Sequence, residues 1–333
     1  MQTLFIDRKN CEVEVDRGRL LVKIEGVRPN MSIPTNLIEI LVVSAPVNFS
    51  STLLTQLTAE GITTIFINPR KIESCTMTHG MAHNDAGRRL LQYQAVTSPA
   101  HCLQYSTAMV RDKLRAQRAM LVKALRKRPD NRYQLTTGIS RISGLIDRLD
   151  SQTTIASVRG VEGAAGAAYF EAYQSLFAPS LAFNGRNRRP PRDPVNVILS
   201  LSFTLLHAEA VRTLFATGFD PLLGVYHTPT FGRESLACDL VESFRPFVEH
   251  WVWRMFARET LRADHFVTTA AAGDRPCILG KAGRSTYYAH YVGMAKIWRR
   301  LLRRVARHWL QQLQKDFSQL PNMGDRVENV EEL

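Results

Sequence analysis

The sequence predicts an α+β protein, with a small β-rich N-terminal domain followed by a larger all-α domain. Two observations carry this. The first ninety residues hold short runs of Val, Ile, Leu and Phe separated by turn formers. From about Ala86 onward, apolar residues recur at three- and four-residue spacing. The 333 residues, 45% hydrophobic and 22% charged, suffice for one large domain or two.

Strands are expected at residues 3–6, 12–15, 20–24, 38–43 and 63–67. Asp16-Arg17-Gly18 and Arg28-Pro29-Asn30 read as turns between them. A helix at 50–60 interrupts the strands, with Ser50 as N-cap and Gly61 as stop. Asn68-Pro69 closes the last clear strand. Helices are then expected at 101–126, 141–149, 161–177, 194–217, 236–262 and 288–317, with residues 264–287 irregular or hairpin-like. This divides the chain into a β-rich domain at 1–85, a hinge at 86–95, a helical domain at 96–320 and a flexible acidic tail at 321–333.

The longest mostly apolar stretch, 195–206, falls short of the roughly 20 residues a bilayer span needs. The first residues carry no secretory pattern. No membrane role is expected. The five cysteines are scattered without a C-x-x-C pair, which excludes a zinc ribbon or thioredoxin-like motif and fits a cytoplasmic setting.

Charge is more informative. There are 43 basic residues, of which 34 are Arg, against 30 acidic ones, a net charge of +13. Residues 1–95 hold ten basic and nine acidic side chains, and the remainder thirty-three and twenty-one. The excess points to a polyanionic partner docked on the second part, with a basic protein lacking such a partner as the alternative. The four tryptophans, Trp251, Trp253, Trp298 and Trp309, sit on apolar helical stripes and read as core or interface.

Three acidic or imidazole groups stand out in the helical part. Glu162 lies between glycines at the start of an Ala-rich helix. It is either a carboxylate with space around it for a ligand or a first-turn acid on a helix dipole. His227 lies in the loop Gly224-Val225-Tyr226-His227-Thr228-Pro229, as a ligand or as an ordinary loop histidine. Asp239 and Glu242 share one helical face at i, i+3, where two buried acids need a cation and two solvated ones do not. Together they make an oxygen- and nitrogen-rich set suited to Mg²⁺ or Mn²⁺. The loop 183–194, with Asn184, Arg186, Arg188, Arg189 and Arg192 stiffened by prolines, reads as a phosphate clamp, or alternatively as a charged connector.

At these segments the chain resembles the CRISPR-associated integrase, the endonuclease of the spacer-acquisition module. The resemblance is carried by Gly160-Val161-Glu162-Gly163 with Tyr169-Phe170, by Asn184-Gly185-Arg186-Asn187-Arg188-Arg189-Pro190-Pro191 with Asp193-Pro194-Val195-Asn196, by Gly218-Phe219-Asp220-Pro221 and Gly224-Val225-Tyr226-His227, and by Ser235-Leu236-Ala237-Cys238-Asp239-Leu240-Val241-Glu242 with Phe244-Arg245-Pro246. It implies a β-sandwich-like N-terminal domain and an all-α C-terminal catalytic domain holding one divalent metal, Mg²⁺ or Mn²⁺. By position, Glu162, His227 and Glu242 match the metal ligands, and Asp239 a supporting acid that could orient a water or the attacking hydroxyl. The third ligand is Asp in some members and Glu in others. Arg186, Arg188, Arg189 and Arg192, with Asn184 and Arg245, would contact double-stranded DNA.

The implied reaction joins a DNA 3′-hydroxyl to a phosphodiester of the CRISPR repeat, inserting a spacer in antiviral immunity. The implied assembly is a homodimer formed through the N-terminal domain, working with a small ferredoxin-like CRISPR-associated partner. Competing expectations are a transposon-borne integrase relative, a stand-alone metal-dependent nuclease for branched DNA, and a non-catalytic DNA-binding scaffold.

Overall fold

The computed structural model describes residues 2–24, 26–27, 29–68, 71–80, 83–187, 190–268 and 276–317. Strands β1 (Gln2–Ile6), β2 (Cys11–Asp16), β3 (Arg19–Ile24), β4 (Met31–Pro34), β5 (Ile38–Val43) and β6 (Val47–Phe49) precede helix α1 (Ser51–Ala59), and β7 (Thr63–Asn68) and β8 (Lys71–Thr78) follow it. They form two four-stranded sheets, ordered β1-β5-β7-β8 and β4-β3-β2-β6. Ile6, Leu41 and Val43 of one sheet share a single buried cluster with Val13, Leu20 and Val22 of the other and with Leu53 and Leu57 of α1. This is the sandwich-like core, where alternate strand residues face inward.

Local signals explain the boundaries. Ser50 Oγ accepts from the Leu53 N–H at 3.4 Å, the expected N-cap. Arg17 and Gly18 both adopt positive φ, the primed turn that joins β2 to β3. The sequence reading misses β4, β6 and β8. β4 ends on a proline and lies at a sheet edge, β6 is three residues long, and β8 is mostly polar and also at an edge.

The helices are α2 (Ala86–Thr97), α3 (Pro99–Leu125), α4 (Arg132–Asp147), α5 (Ile155–Gln174), α6 (Pro194–Thr217), α7 (Ser235–Glu242), α8 (Arg245–Ala257) and α9 (Lys281–Asp316). Residues 86–95, expected as a hinge, are most of α2. The single helix expected over 236–262 is two, because Pro246 in the first turn of α8 has no N–H to continue the ladder of α7. The short strands β9 (Phe266–Thr268) and β10 (Cys277–Leu279) pair antiparallel, the hairpin expected within 264–287. The acidic tail at 321–333 lies outside the described residues.

Chain contacts resolve two compact units, each discontinuous in sequence: Met1–Met81 with Phe177–Ala208 and Val248–Trp298, and Ala82–Leu176 with Glu209–Phe247 and Arg299–Leu333. In the first unit an aromatic cluster backs the sheets. Phe5 stacks on Tyr288 at 4.0 Å, and Trp251 meets Trp298 edge-on at 5.3 Å. Arg284 Nε donates to both carboxylate oxygens of Asp7 at 2.9 Å. Trp253 and Trp298 are buried, as their apolar stripes require. Helix α6 alone among the described helices is long and apolar enough to cross a membrane by length and composition, and 78% of that window is buried inside the protein, as in a core helix.

In the second unit α3, α4 and α5 pack closely. Their approach depends on Gly138 of α4, where a Cβ would lie 2.7 Å from Ala172 Cβ and 3.2 Å from a Leu121 methyl. Gly138→Val should therefore cost about 1–3 kcal/mol or more. It should lower the melting temperature by several degrees and perturb α3 and α5 together; an unchanged melting curve would refute this packing.

Candidate active site

Four helices and one loop of the second unit place the charged groups. Glu162 lies beyond the first two turns of α5, whose N-terminus is capped by a Thr154–Ser157 box, so it is not the first-turn acid that the sequence left open. Across from it, Lys113 projects from the middle of α3 and is buried. Its Nζ donates to Glu162 Oε1, and to Glu242 Oε2 at 2.6 Å. Arg245, at the start of α8, donates from Nε to the other oxygen of Glu242, also at 2.6 Å. Two acids from separate helices thus converge on one ammonium.

Burial alone pushes the Glu242 carboxyl upward, but Arg245 and Lys113 outweigh it and hold the group down at about 2. Burial pulls the Lys113 ammonium the other way. Glu242 and Glu162 more than offset that and keep it above the ordinary lysine value.

His227 sits in the loop between α6 and α7. Its Nδ1 lies 2.6 Å from Asp239 Oδ1. Asp239 is fully buried and accepts three backbone N–H groups as well, from Val225 (2.8 Å), Tyr226 (3.1 Å) and His227 (2.9 Å). With both oxygens engaged, Asp239 is not placed to orient a water or a hydroxyl. It is the residue that folds the loop and orients the imidazole. Gly224 makes the turn possible, since a Cβ there would stand 2.8 Å from Asp239 Oδ2 and 2.6 Å from the His227 carbonyl oxygen.

Other groups brace the same loop. Arg159, one turn before Glu162, donates to the Tyr226 carbonyl and to Thr228 Oγ1 and lies over the Tyr226 ring. Buried Gln92 of α2 donates to the carbonyls of Asp220 and Leu223 and accepts from the Asp220 N–H. Burial raises the Tyr226 phenol, with Glu162, Glu242 and Asp239 adding to the effect and Arg159 opposing it. Sequence reasoning missed Lys113, Arg159 and Gln92. Lys113 was hidden in a basic helical stretch, and the other two carried no local signal.

The structure therefore gathers the four predicted groups into one region as two pairs, Glu162 with Glu242 through Lys113, and His227 with Asp239. Among the described residues no three His, Cys, Asp or Glu side chains come close enough to hold an ion. The donor chemistry nonetheless fits a divalent ion. Two carboxylates already share one cation, and an imidazole whose Nδ1–H faces a carboxylate presents its Nε2 lone pair outward.

The expected clamp in loop 183–194 lies in the first unit and is tied to itself. Arg186 donates to the Asn187 carbonyl at 2.6 Å, to Asn196 Oδ1 at 2.7 Å and to Ser200 Oγ at 3.1 Å. Asp193 caps α6 by accepting from the Asn196 N–H at 2.8 Å. Arg186 thus holds the loop on α6. Arg192 and Asn184 are exposed, and Arg188 and Arg189 lie outside the described residues. Arg245 pairs with Glu242, so the structure places its guanidinium in the acidic cluster.

The family model described as CRISPR associated protein Cas1 matches residues 4–292. The chain belongs to the Cas1 family. A CRISPR-associated endonuclease Cas1 of Thermodesulfovibrio yellowstonii is 34% identical over 317 residues, covering 94% of this chain and 98% of that protein. Among solved structures, a Cas6-RT-Cas1–Cas2 complex aligns with a TM-score of 0.80 at 20% identity, over 95% of this chain and 35% of that one. A casposase bound to integration product aligns with a TM-score of 0.78 at 17% identity, over 94% and 91%. These two likenesses show the shared Cas1 fold, with its strand-rich N-terminal part and helical C-terminal part.

The Glu242 environment carries a pH signature. A carboxyl held below its unfolded value stabilises the fold above pH 4.5, and that contribution is lost as pH falls toward about 2. In chelator-treated protein at pH 7, Glu242→Gln should be less stable than wild type by about 3–5 kcal/mol. The gap should narrow steadily below pH 4.5 in thermal melts; a gap independent of pH would contradict the assignment.

Proposed function

We propose that this Cas1-family chain, an endonuclease and integrase of CRISPR spacer acquisition, works with one Mg²⁺ or Mn²⁺ held by Glu162, His227 and Glu242. The observation that carries the reading is the convergence of two carboxylates, one buried and one half-buried, on one positive centre, beside an imidazole oriented by a buried acid. When bound, such an ion polarises a phosphoryl oxygen and stabilises the charge that develops in strand transfer.

The protein's own residues do the positioning. Asp239 holds the imidazole in the tautomer that leaves Nε2 available, Arg159 and Gln92 fix the loop that carries it, and Arg245 orients Glu242. The 34% identical relative is a CRISPR-associated endonuclease along nearly its whole length, whereas the casposase shares the fold alone. That supports the CRISPR reading over the transposon-borne one.

For DNA, the support shifts from loop 183–194 to α9. Arg300, Arg303, Arg304 and Arg307 follow i, i+3, i+4, i+7 spacing, share one groove and are exposed. Arg300, Arg304 and Arg307 form no ion pair with a described carboxylate. Exposed guanidiniums in a row fit the phosphates of a duplex. A CRISPR-associated partner is supported by the solved Cas1–Cas2 complex of the same fold. We extend this to a small ferredoxin-like partner and to a homodimer through the N-terminal strands. The exposed Met31, Leu37 and Phe49 support a protein-facing surface there. None of the cysteines is in a disulfide, in keeping with a cytoplasmic setting.

Glu162→Gln, His227→Ala and Glu242→Gln should each reduce strand joining on a repeat-bearing plasmid by about a hundredfold or more while DNA binding persists; normal joining by a folded variant would remove that residue from the site. Replacing Arg300, Arg304 and Arg307 together with Ala should flatten the log Kd against log salt slope by about 2.7 if each neutralises one phosphate. An unaltered slope would place the duplex elsewhere.

A further inference from the structure

The proposed reaction leaves Lys113 without a part, although it is among the most constrained charged groups in the molecule. It is buried, it lies on a helix that carries neither acid, and its single ammonium is shared by Glu162 and Glu242. That arrangement has the charge pattern of a cation site: one positive centre and anionic oxygens arriving from two other helices. An ammonium is a compact point charge on a flexible four-carbon stem, able to occupy such a site and to leave it. Arg245 uses the other oxygen of Glu242, so that bond can persist when the shared position changes hands.

Building on the metal reading above, we propose that the Lys113 ammonium is the resident cation of the metal-free site and that a divalent ion and Lys113 compete for the Glu162–Glu242 carboxylate pair. Two positive centres cannot hold the same oxygens without mutual repulsion, so metal entry drives Lys113 off at least one of them. The ammonium keeps the paired acids folded in place while no ion is bound, and it weakens the site's affinity for the ion in proportion to its own hold. Lys113 is thus a positioning residue that tunes metal loading.

The test is a calorimetric titration of wild type and Lys113→Met with Mn²⁺ in the absence of DNA. The variant should bind about tenfold or more tightly than wild type. Its metal-free form should melt at a lower temperature, and saturating Mn²⁺ should recover much of the loss, because the paired acids then regain a cation. Equal or weaker Mn²⁺ affinity in the variant, with wild type binding, overturns the competition and leaves the metal site standing. Absence of binding by both overturns the competition and the metal site together. Should Lys113→Met fail to fold, wild type answers the question through amine-reactive labelling read by mass spectrometry. Mn²⁺ should raise labelling of Lys113 above its level in chelator, and unchanged labelling overturns the proposal.

Discussion

Two carboxylates brought together inside a protein repel unless something positive lies between them, and the second unit is organised around that constraint. Glu162 and Glu242 come from α5 and α7, and the ammonium that reconciles them comes from α3. Removing a charge from water costs several kcal/mol, and a buried pair recovers this only with good geometry and further hydrogen bonds. Here the further bond is the guanidinium of Arg245 on Glu242. The packing of α3 against α4 and α5, close enough to require glycine at position 138, fixes the reach of Lys113 to within one side-chain length.

A second buried acid solves a different problem. The loop between α6 and α7 has little regular structure, and its backbone N–H groups need partners. Asp239 supplies them for three successive residues and uses the same carboxylate to orient His227. The spacing of Asp239 and Glu242 on one short helix therefore reads as a division of labour. One acid faces the loop and builds it, while the other faces the cation.

The fold was legible where local chemistry is strong. The Ser50 cap, the Arg17-Gly18 turn, the apolar run of β5 and the full length of α6 follow from side-chain pattern alone. Edge strands such as β8 were not, because a strand held on one side needs no continuous apolar run. Helix α2 was hidden because its most informative residue, Gln92, is a buried polar group whose partners lie more than a hundred positions away. The site was legible as residue types but not as roles. Nothing near Lys113 marks it off from the other cations of α3, and only packing shows that it points inward. Conversely, the run of arginines in loop 183–194 looked like a clamp, yet Arg186 is consumed by its own loop and by α6.

The same distinction bears on the excess of positive charge. A whole-chain count treats every arginine alike, but helix α9 presents two kinds. Arg299 is buried and lies 3.6 Å from Glu209, itself buried and also close to Arg212, so this charge is neutralised inside the unit. The next residue, Arg300, faces water, as do Arg303, Arg304 and Arg307 on following turns. Lys113 and Arg245 fall with Arg299, since each meets an acid in the interior. What faces solvent is therefore the outward subset, and on α9 its spacing is set by the helical repeat. Guanidiniums carried on a rigid helix lose little conformational entropy when they meet anions. On those grounds α9 supports the proposed duplex surface, while in loop 183–194 Arg186 and Asp193 anchor the start of α6.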